Sequence, residues 1–324
     1  MAKIKKHSIA KIFYMIMIGV FLINSTANGI ELSNKIYLRV PVESEATYFR
    51  MAEVLTRDVS DMQYENYYSR LYDELIQGLR KRSGEIIESP ENYITRIKAA
   101  IAGKKKKGKV LIVAIDGNSG AFKTTSARDL GKAIELSGGK AVVIERDWFI
   151  GSRTQRREMF DDELRGVDVS LRDNEMALRS DKFEREVLKP LQDFNNGNEQ
   201  KMTLSLSNLY NKDDGGLTRS ESFKIDRKTI VIIEGNFLLN EKWNEYFDFK
   251  IVVLVKPSIG IERRLVRDSY AEEERIKKIF WRINTPSYID YLQQHIIKPD
   301  LLIITDTWDE GRSVPLQKIA ASCI

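Results

Sequence analysis

Short apolar runs alternate with helical patterns along the chain from residue 109 to residue 307. Each run is continuous, as a strand that is buried on both faces of a parallel sheet requires. The five runs are Val110–Asp116, Ala141–Glu145, Thr229–Glu234, Lys250–Val255 and Leu301–Thr305. Helical patterns lie between them at 124–137, 181–195 and 259–281. This alternation predicts a three-layer α/β fold in which a five-stranded parallel sheet carries helices on both faces.

The preceding segment, residues 28–103, is predicted to be a mainly helical extension. Tyrosines, leucines and an isoleucine recur at helical spacing and predict an amphipathic helix over residues 62–82. Ser89 and Pro90 suit the N-cap and first turn of a second helix, which Gly103 ends. The tyrosine-rich face of the first helix either packs on the rest of the chain or binds a partner.

The first 27 residues have the organisation of an export signal. A basic stretch at 1–11 precedes an uninterrupted apolar run, Ile12–Ile23. As a helix this run is about 18 Å long, which is shorter than a hydrocarbon core of about 30 Å. Ser25 and Ala27 then supply small residues before a cleavage site. We expect a signal peptide or membrane anchor over 1–27 and hence an exported or anchored protein; a misassigned start codon would instead leave the protein cytoplasmic.

The amino-acid composition excludes several kinds of functional site. The chain has one cysteine and two histidines, which excludes an internal disulfide and a zinc site built on cysteines. The net charge of +5 falls to +1 without Lys3, Lys5, Lys6 and Lys11 of the export segment, so we expect no nucleic-acid partner. Membrane contact is expected only through that segment if it is not cleaved. Carboxylates, lysine, arginine, hydroxyls and backbone groups must therefore perform the chemistry.

A phosphate-binding loop follows the first strand of the predicted sheet. Backbone N–H groups at a helix N-terminus, one lysine and one hydroxyl are the groups that bind a nucleotide triphosphate with Mg²⁺. The loop consists of Gly117, Asn118, Ser119, Gly120, Ala121, Phe122, Lys123, Thr124 and Thr125. Lys123 is placed to reach the β- and γ-phosphates and Thr124 to hold Mg²⁺. Phe122 stands where glycine is expected, at a cost of about 1–2 kcal/mol if that position needs positive φ.

From Lys109 to Asp306 the sequence resembles the uridine kinase and phosphoribulokinase group of P-loop kinases. The resemblance rests on five motifs in the same order: the loop GNSGAFKTT, ERDWF at 145–149, SDKF at 180–183, IIEG at 232–235 and RRLVRD at 263–268. It implies that residues 104–324 form a kinase domain of the P-loop NTPase fold. It also implies ATP as phosphate donor, Mg²⁺ as cofactor and a small-molecule hydroxyl as acceptor.

The resemblance assigns two carboxylates to the chemistry. Asp147 lies at the carboxyl end of a predicted strand and would act as the base for the acceptor hydroxyl. The alternative is a helix N-cap or an ion pair with Arg146 or Arg153. Glu234 would hold the hydration shell of Mg²⁺, unless it makes only a structural hydrogen bond.

Arg263, Arg264 and Arg267 recur at i, i+1 and i+4 on a predicted helix, and their motif RRLVRD resembles the lid of this kinase group. We expect Arg264 and Arg267 to face the phosphates and to stabilise charge on the transferred group. The other arginine would pair with Glu262 or Asp268 at the surface.

The acceptor is less well defined by the sequence. Arg153 and Arg157 could bind an acceptor phosphate, as a sugar-phosphate kinase needs, or simply begin an exposed helix. The resemblance adds Asp181, Tyr210 and Arg219 as substrate-binding candidates. The acceptor is therefore expected to be a nucleoside or a sugar phosphate, and oligomerisation is left open.

Two functions follow from these residues. Lys123, Asp147 and Glu234 together favour an active ATP-dependent kinase. Phe122 and the acidic stretch at 272–274 favour a nucleotide-binding module with little or no transfer activity.

Overall fold

The computed structural model describes residues 61–164, 178–269, 271–294 and 298–308 of the chain. The predicted export segment lies outside these residues and stays a prediction. None of the helices in the described ranges is long and apolar enough to cross a membrane.

The described residues build a central sheet of six parallel strands and a separate two-stranded hairpin. The strands are β1 Glu85–Ile87, β2 Leu111–Gly117, β3 Lys140–Glu145, β4 Lys201–Leu209, β5 Arg219–Asp226, β6 Thr229–Gly235, β7 Phe249–Leu254 and β8 Leu301–Ile304. The order across the central sheet is β1-β8-β7-β2-β6-β3. The five predicted strands are confirmed as β2, β3, β6, β7 and β8.

The predicted count of five strands is wrong, because the extension supplies a sixth. Strand β1 pairs with β8 in a register that places Glu85 opposite Leu301 and Ile87 opposite Ile303. With three residues, of which Ile87 alone is fully buried, β1 is too short to appear as an apolar run. The extension therefore provides one edge of the sheet.

Helices cover both faces of the sheet, as predicted. They are α1 Asp61–Arg82, α2 Tyr93–Ala102, α3 Lys123–Leu136, α4 Arg153–Leu164, α5 Ser180–Phe183, α6 Lys189–Asn196, α7 Pro257–Arg267, α8 Glu273–Ile279 and α9 Thr285–Gln294. A π-helical turn joins α5 to α6, and another joins α8 to α9.

The central strand β2 shows why the fold has three layers. Its side chains alternate between the two faces of the sheet. Ile112 and Ala114 enter a core shared with α1, α6 and α9. Leu111, Val113 and Ile115 enter a second core shared with α2 and α3. A strand buried on both faces needs apolar residues at every position, and this is the pattern seen in the sequence.

Two predicted helix boundaries are wrong. The second helix begins at Tyr93, because Ser89 caps a turn by accepting the N–H of Glu91 at 3.2 Å instead of starting the helix. The single helix predicted over 259–281 is two helices. The carboxylate of Asp268 follows the last turn of α7, and the acidic residues that come next lie at the N-terminus of α8, where the helix dipole favours negative charge.

The hairpin β4–β5 was not predicted. Leu204 and Leu206 alternate with serines, so only one face of β4 is buried. A strand of this kind has no continuous apolar run, which is the pattern by which the other strands were predicted. The hairpin is important for the site because the backbone N–H of Tyr210, just after β4, donates to the carbonyl of Trp148 at 2.7 Å. This bond places the hairpin loop beside the end of β3.

Candidate active site

The predicted phosphate loop joins β2 to α3 at the centre of the sheet. The strand order changes direction at β2, because β3 and β6 lie on one side of it and β7 and β8 on the other. In open α/β sheets this switch point is where ligands bind. The loop needs glycine at two positions. A Cβ on Gly117 would lie 2.0 Å from the carbonyl oxygen of Val253, and Gly120 has φ 82° and packs against Gly260.

The rest of the loop is held by its own side chains and by β7. Asn118 donates to the carbonyl of Val255 at 2.7 Å and accepts the N–H of Val255 at 3.0 Å, so its side chain fastens the loop to the sheet. The ammonium of Lys123 donates to the Asn118 carbonyl at 2.8 Å. Ser119 is half-buried, Ala121 is buried and Thr125 is exposed on α3. Any contact of these residues with phosphate is a prediction.

Four predicted residues converge beside this loop. The hydroxyl of Thr124 donates to Glu234 Oε1 at 2.9 Å, which joins the start of α3 to the end of β6. Asp147 follows β3, the neighbouring strand, and is exposed. Its charge acts on both Glu234 and Lys123. The carboxyl ends of β2, β3 and β6 thus bring together Lys123, Thr124, Asp147 and Glu234.

Burial and charge perturb this group strongly. Burial, followed by the negative charge of Asp147, raises the pKa of Glu234 to about 7. Burial lowers the pKa of Lys123, and the carboxylates of Glu234, Asp147 and Asp116 oppose that shift. Acids and a lysine whose pKa values are shifted by burial and by one another's charges are typical of functional sites.

The oxygen donors suit Mg²⁺. Thr124 and Glu234 offer one hydroxyl and one carboxylate, and the described ranges contain no group of three or more histidine, cysteine or acidic residues that could hold a metal. Mg²⁺ is usually held by one or two protein oxygens together with substrate phosphates and water. The pair therefore fits a metal that arrives with the nucleotide.

The lid arginines divide into two kinds. Arg264 and Arg267 both pair with Asp268, at 3.1 Å and 2.9 Å. Burial lowers the pKa of Arg264, and the charge of Asp147 opposes the shift, so Arg264 lies within electrostatic reach of that carboxylate. The predicted surface pairing of the remaining arginine is wrong. Arg263 is 7% exposed and binds the carbonyls of Gly120 and other backbone groups inside the protein.

Two of the acceptor candidates, Arg219 and Tyr210, contact Trp148. The guanidinium of Arg219 lies 4.4 Å from the centre of the Trp148 ring, and Tyr210 is buried against the same segment. Arg153 donates to the carbonyl of Lys212 at 2.8 Å.

Two candidates have a more peripheral setting. Arg157 is exposed on α4, and Asp181 is exposed and lies 3.4 Å from Lys242. The roles of both residues in substrate binding stay predictions.

Two further residues lie at the site although they were not among the predicted site residues. Arg156, on the first turn of α4, lies with its guanidinium 4.5 Å from the centre of the Tyr210 ring. Asp116, the last residue before the loop, is fully buried and accepts the hydroxyls of Tyr288 and Tyr291 at 3.2 Å and 2.6 Å and the N–H of Leu239 at 3.0 Å. An acid at the end of an apolar strand was the available signal for Asp116.

The sequence matches the family model described as the phosphoribulokinase / uridine kinase family over residues 112–306. The chain belongs to this family. It is a P-loop kinase of the uridine kinase and phosphoribulokinase type, and family membership implies nucleotide binding. The matched region runs from β2 to the residues just after β8 and contains the whole group described above.

Two solved structures illustrate the likeness. A possible uridine kinase from Bacillus stearothermophilus has a TM-score of 0.47 and 18% identity, with 65% of this chain and 96% of that chain covered. A D-glycerate 3-kinase from Cryptococcus neoformans has a TM-score of 0.46 and 13% identity, with 66% and 95% covered. A likeness at these identities says nothing about the acceptor. No curated protein matches the sequence.

Proposed function

We propose that this kinase transfers the γ-phosphoryl group of ATP to a hydroxyl of a small metabolite, such as a nucleoside or a sugar phosphate, in a Mg²⁺-dependent reaction. The observation that carries the proposal is the 2.9 Å hydrogen bond between Thr124 and Glu234 beside Lys123. It places a hydroxyl and a carboxylate at the N-terminus of α3, where phosphates bind favourably.

Each residue has one task in this proposal. Lys123 and the backbone of residues 117–125 bind the phosphates, and Thr124 and Glu234 hold the metal. Bound there, Mg²⁺ would neutralise charge on the β- and γ-phosphates. Asp147, exposed at the open end of the sheet, accepts the proton of the attacking hydroxyl.

The two lid arginines stabilise the transferred group only after a rearrangement. Arg264 and Arg267 are both engaged with Asp268. A phosphoryl group has three oxygens that can replace a carboxylate as the partner of a guanidinium. We infer that the nucleotide competes with Asp268 for one or both arginines.

The positive charge near Trp148 favours an anionic acceptor. Arg153 and Arg156 have no carboxylate partner in the part of the chain that the structure describes. Arg219, by contrast, is paired with Glu221 at 2.7 Å. Guanidinium groups whose charge is not neutralised by a carboxylate are suited to bidentate binding of phosphate, which favours the sugar phosphate over the neutral nucleoside.

A turnover assay tests the proposal. ADP formation is measured with wild-type protein, Mg·ATP and a panel of nucleosides and sugar phosphates, and Asp147→Asn serves as the matched variant. We expect acceptor-dependent turnover that Asp147→Asn removes while Mg·ATP binding persists. Binding by the wild type without turnover on any acceptor would support the nucleotide-binding module instead.

A further inference from the structure

We propose that Phe122 is a positioning residue: its ring, packed on Arg263 and Trp308, fixes the turn of the phosphate loop and connects the loop to the N-terminal extension. Phe122 stands at the position where the family motif has glycine. The proposal rests on the proposed function in one respect, because the loop is taken to bind a nucleotide.

The backbone of Phe122 is the first observation. Its φ of 63° and ψ of 24° lie in the left-handed region, which a side chain occupies at a cost. Such a conformation persists where the surrounding structure holds it in place. At Phe122 the contacts of the ring provide the restraint.

The ring has two partners. The guanidinium carbon of Arg263 lies 4.2 Å from the centre of the Phe122 ring, within the range of a cation–π interaction. The ring of Trp308 lies 6.5 Å away, with only 20° between the two planes. The side chain therefore points into a packed group within the protein, and it is held there by an aromatic ring and a buried charge.

Arg263 holds the loop at a second point. It donates to the Gly120 carbonyl at 3.1 Å, and it also binds the backbone carbonyls of Thr305 and Trp308 at 2.6 Å and 2.5 Å. One guanidinium therefore contacts the loop on both sides of Ala121. Because a buried guanidinium needs all of these acceptors, its position is tightly defined.

Trp308 connects this group to the extension. Its ring packs against Tyr93 of α2 at 4.8 Å, and its indole N–H donates to the carbonyl of Glu88 at 2.9 Å. The hydroxyl of Tyr93 in turn donates to Asp129 on α3, the helix that begins at the loop, at 2.8 Å. The contacts form a closed circuit from the loop through the extension and back to α3.

These contacts predict the effects of two substitutions that the sequence of the loop alone does not predict. Phe122→Gly removes backbone strain, yet it should loosen the loop and weaken nucleotide binding. Trp308→Leu, which leaves every loop residue intact, should have the same effect. Trp243→Leu is the matched control, because Trp243 is also buried but belongs to the core on the other face of the sheet.

Hydrogen–deuterium exchange on the nucleotide-free protein tests the positioning role without any assumption about function. We expect the peptide covering residues 117–126 to exchange at least about fivefold faster in Phe122→Gly and Trp308→Leu than in wild type. Trp243→Leu should leave this peptide unchanged. Phe122→Leu, which keeps an apolar side chain at this position but removes the aromatic ring, provides a second variant if Trp308→Leu does not fold.

Calorimetry with Mg·ATP then measures the consequence for binding. Affinity should fall about tenfold in Phe122→Gly and in Trp308→Leu, as the loss of a cation–π contact and its aromatic neighbour implies. Unchanged exchange in Phe122→Gly and Phe122→Leu, or equal loosening in Trp243→Leu, would overturn the proposal. If wild type gives no heat with Mg·ATP, the proposed function fails, and the exchange comparison still decides the positioning role.

Discussion

We expect the carboxylate of Glu234 to lower the stability of the free protein and to strengthen the binding of Mg·ATP. Replacing Glu234 with glutamine separates these two effects. Glu234 is 2% exposed, and burial with the charge of Asp147 raises its pKa from 4.5 to about 7. Between these pH values the folded protein binds a proton that the unfolded chain has lost. The free energy of unfolding therefore falls as the pH rises through this interval. Above pH 7 the decrease in the free energy of unfolding is complete. A shift of this size corresponds to about 3 kcal/mol.

This value is already a net effect, because the attraction of Lys123, which lowers the pKa of Glu234, is included in the shift. With glutamine in place of the protonated carboxyl, we expect the nucleotide-free variant to be up to about 3 kcal/mol more stable than wild type near pH 8, and the difference to vanish near pH 4.5. A residue that destabilises the free protein at working pH in this way is expected to be one that serves a ligand.

The same substitution should weaken the response to nucleotide. The variant loses a charged oxygen for the metal, so Mg·ATP should raise its stability less than that of wild type. In wild type, the affinity for Mg·ATP should fall about tenfold from pH 8 to pH 6, because the carboxylate proposed to hold the metal takes up a proton. The affinity of Glu234→Gln should show no such dependence.

Urea unfolding near pH 8, pH 6 and pH 4.5, with and without Mg·ATP, measures these stabilities and the change in affinity. Glu145→Gln is the matched control, since Glu145 lies opposite Glu234 in the β3–β6 register and is also buried, but pairs with Arg128 at 2.6 Å. It should not stabilise the protein and should keep the nucleotide response. A Glu234→Gln protein that is less stable than wild type near pH 8, or that keeps full stabilisation by Mg·ATP, would refute the reasoning.

Three further predictions concern other parts of the site. Asp147→Asn should lower kcat by about 10²–10⁴-fold and leave the calorimetric affinity for Mg·ATP within about twofold of wild type; a large loss of affinity would contradict its role as base. Arg156→Ala should raise KM at least about tenfold for a phosphorylated acceptor and little for a neutral one, and equal changes in steady-state assays would argue against an anionic acceptor. Asp116→Ala should lower the free energy of unfolding by about 3 kcal/mol in urea, because two tyrosine hydroxyls and one N–H lose a buried acceptor; a loss below about 1 kcal/mol would show that these groups find other partners.

The sequence was most informative where one physical requirement governs a whole segment. Strands buried on both faces must be apolar throughout, so β2, β3, β6, β7 and β8 could be recognised. The carboxyl ends of these strands had to meet at one edge, which predicted the convergence of Thr124, Asp147 and Glu234. The backbone cost predicted for a side chain at residue 122 depended on a positive φ at that position, and Phe122 has that conformation.

The sequence was least informative where a contact joins distant segments. Helical spacing places Arg263 and Arg267 on similar faces of α7, yet only Arg263 is drawn into the interior, by carbonyls that lie about 40 residues further along the chain. The short strand β1 exists because β8 offers it a free edge. The hairpin carries Arg219 to Trp148 across a long sequence separation, and no local pattern contains that information.

The central claim is that the loop between β2 and α3 binds Mg·ATP through its backbone and Lys123. Titration calorimetry of purified protein with ATP in magnesium buffer, beside a Lys123→Ala variant, tests this claim most directly. We predict a saturable heat in wild type that Lys123→Ala reduces by at least about tenfold in affinity. No heat in wild type, or equal affinity in the two proteins, would contradict the account.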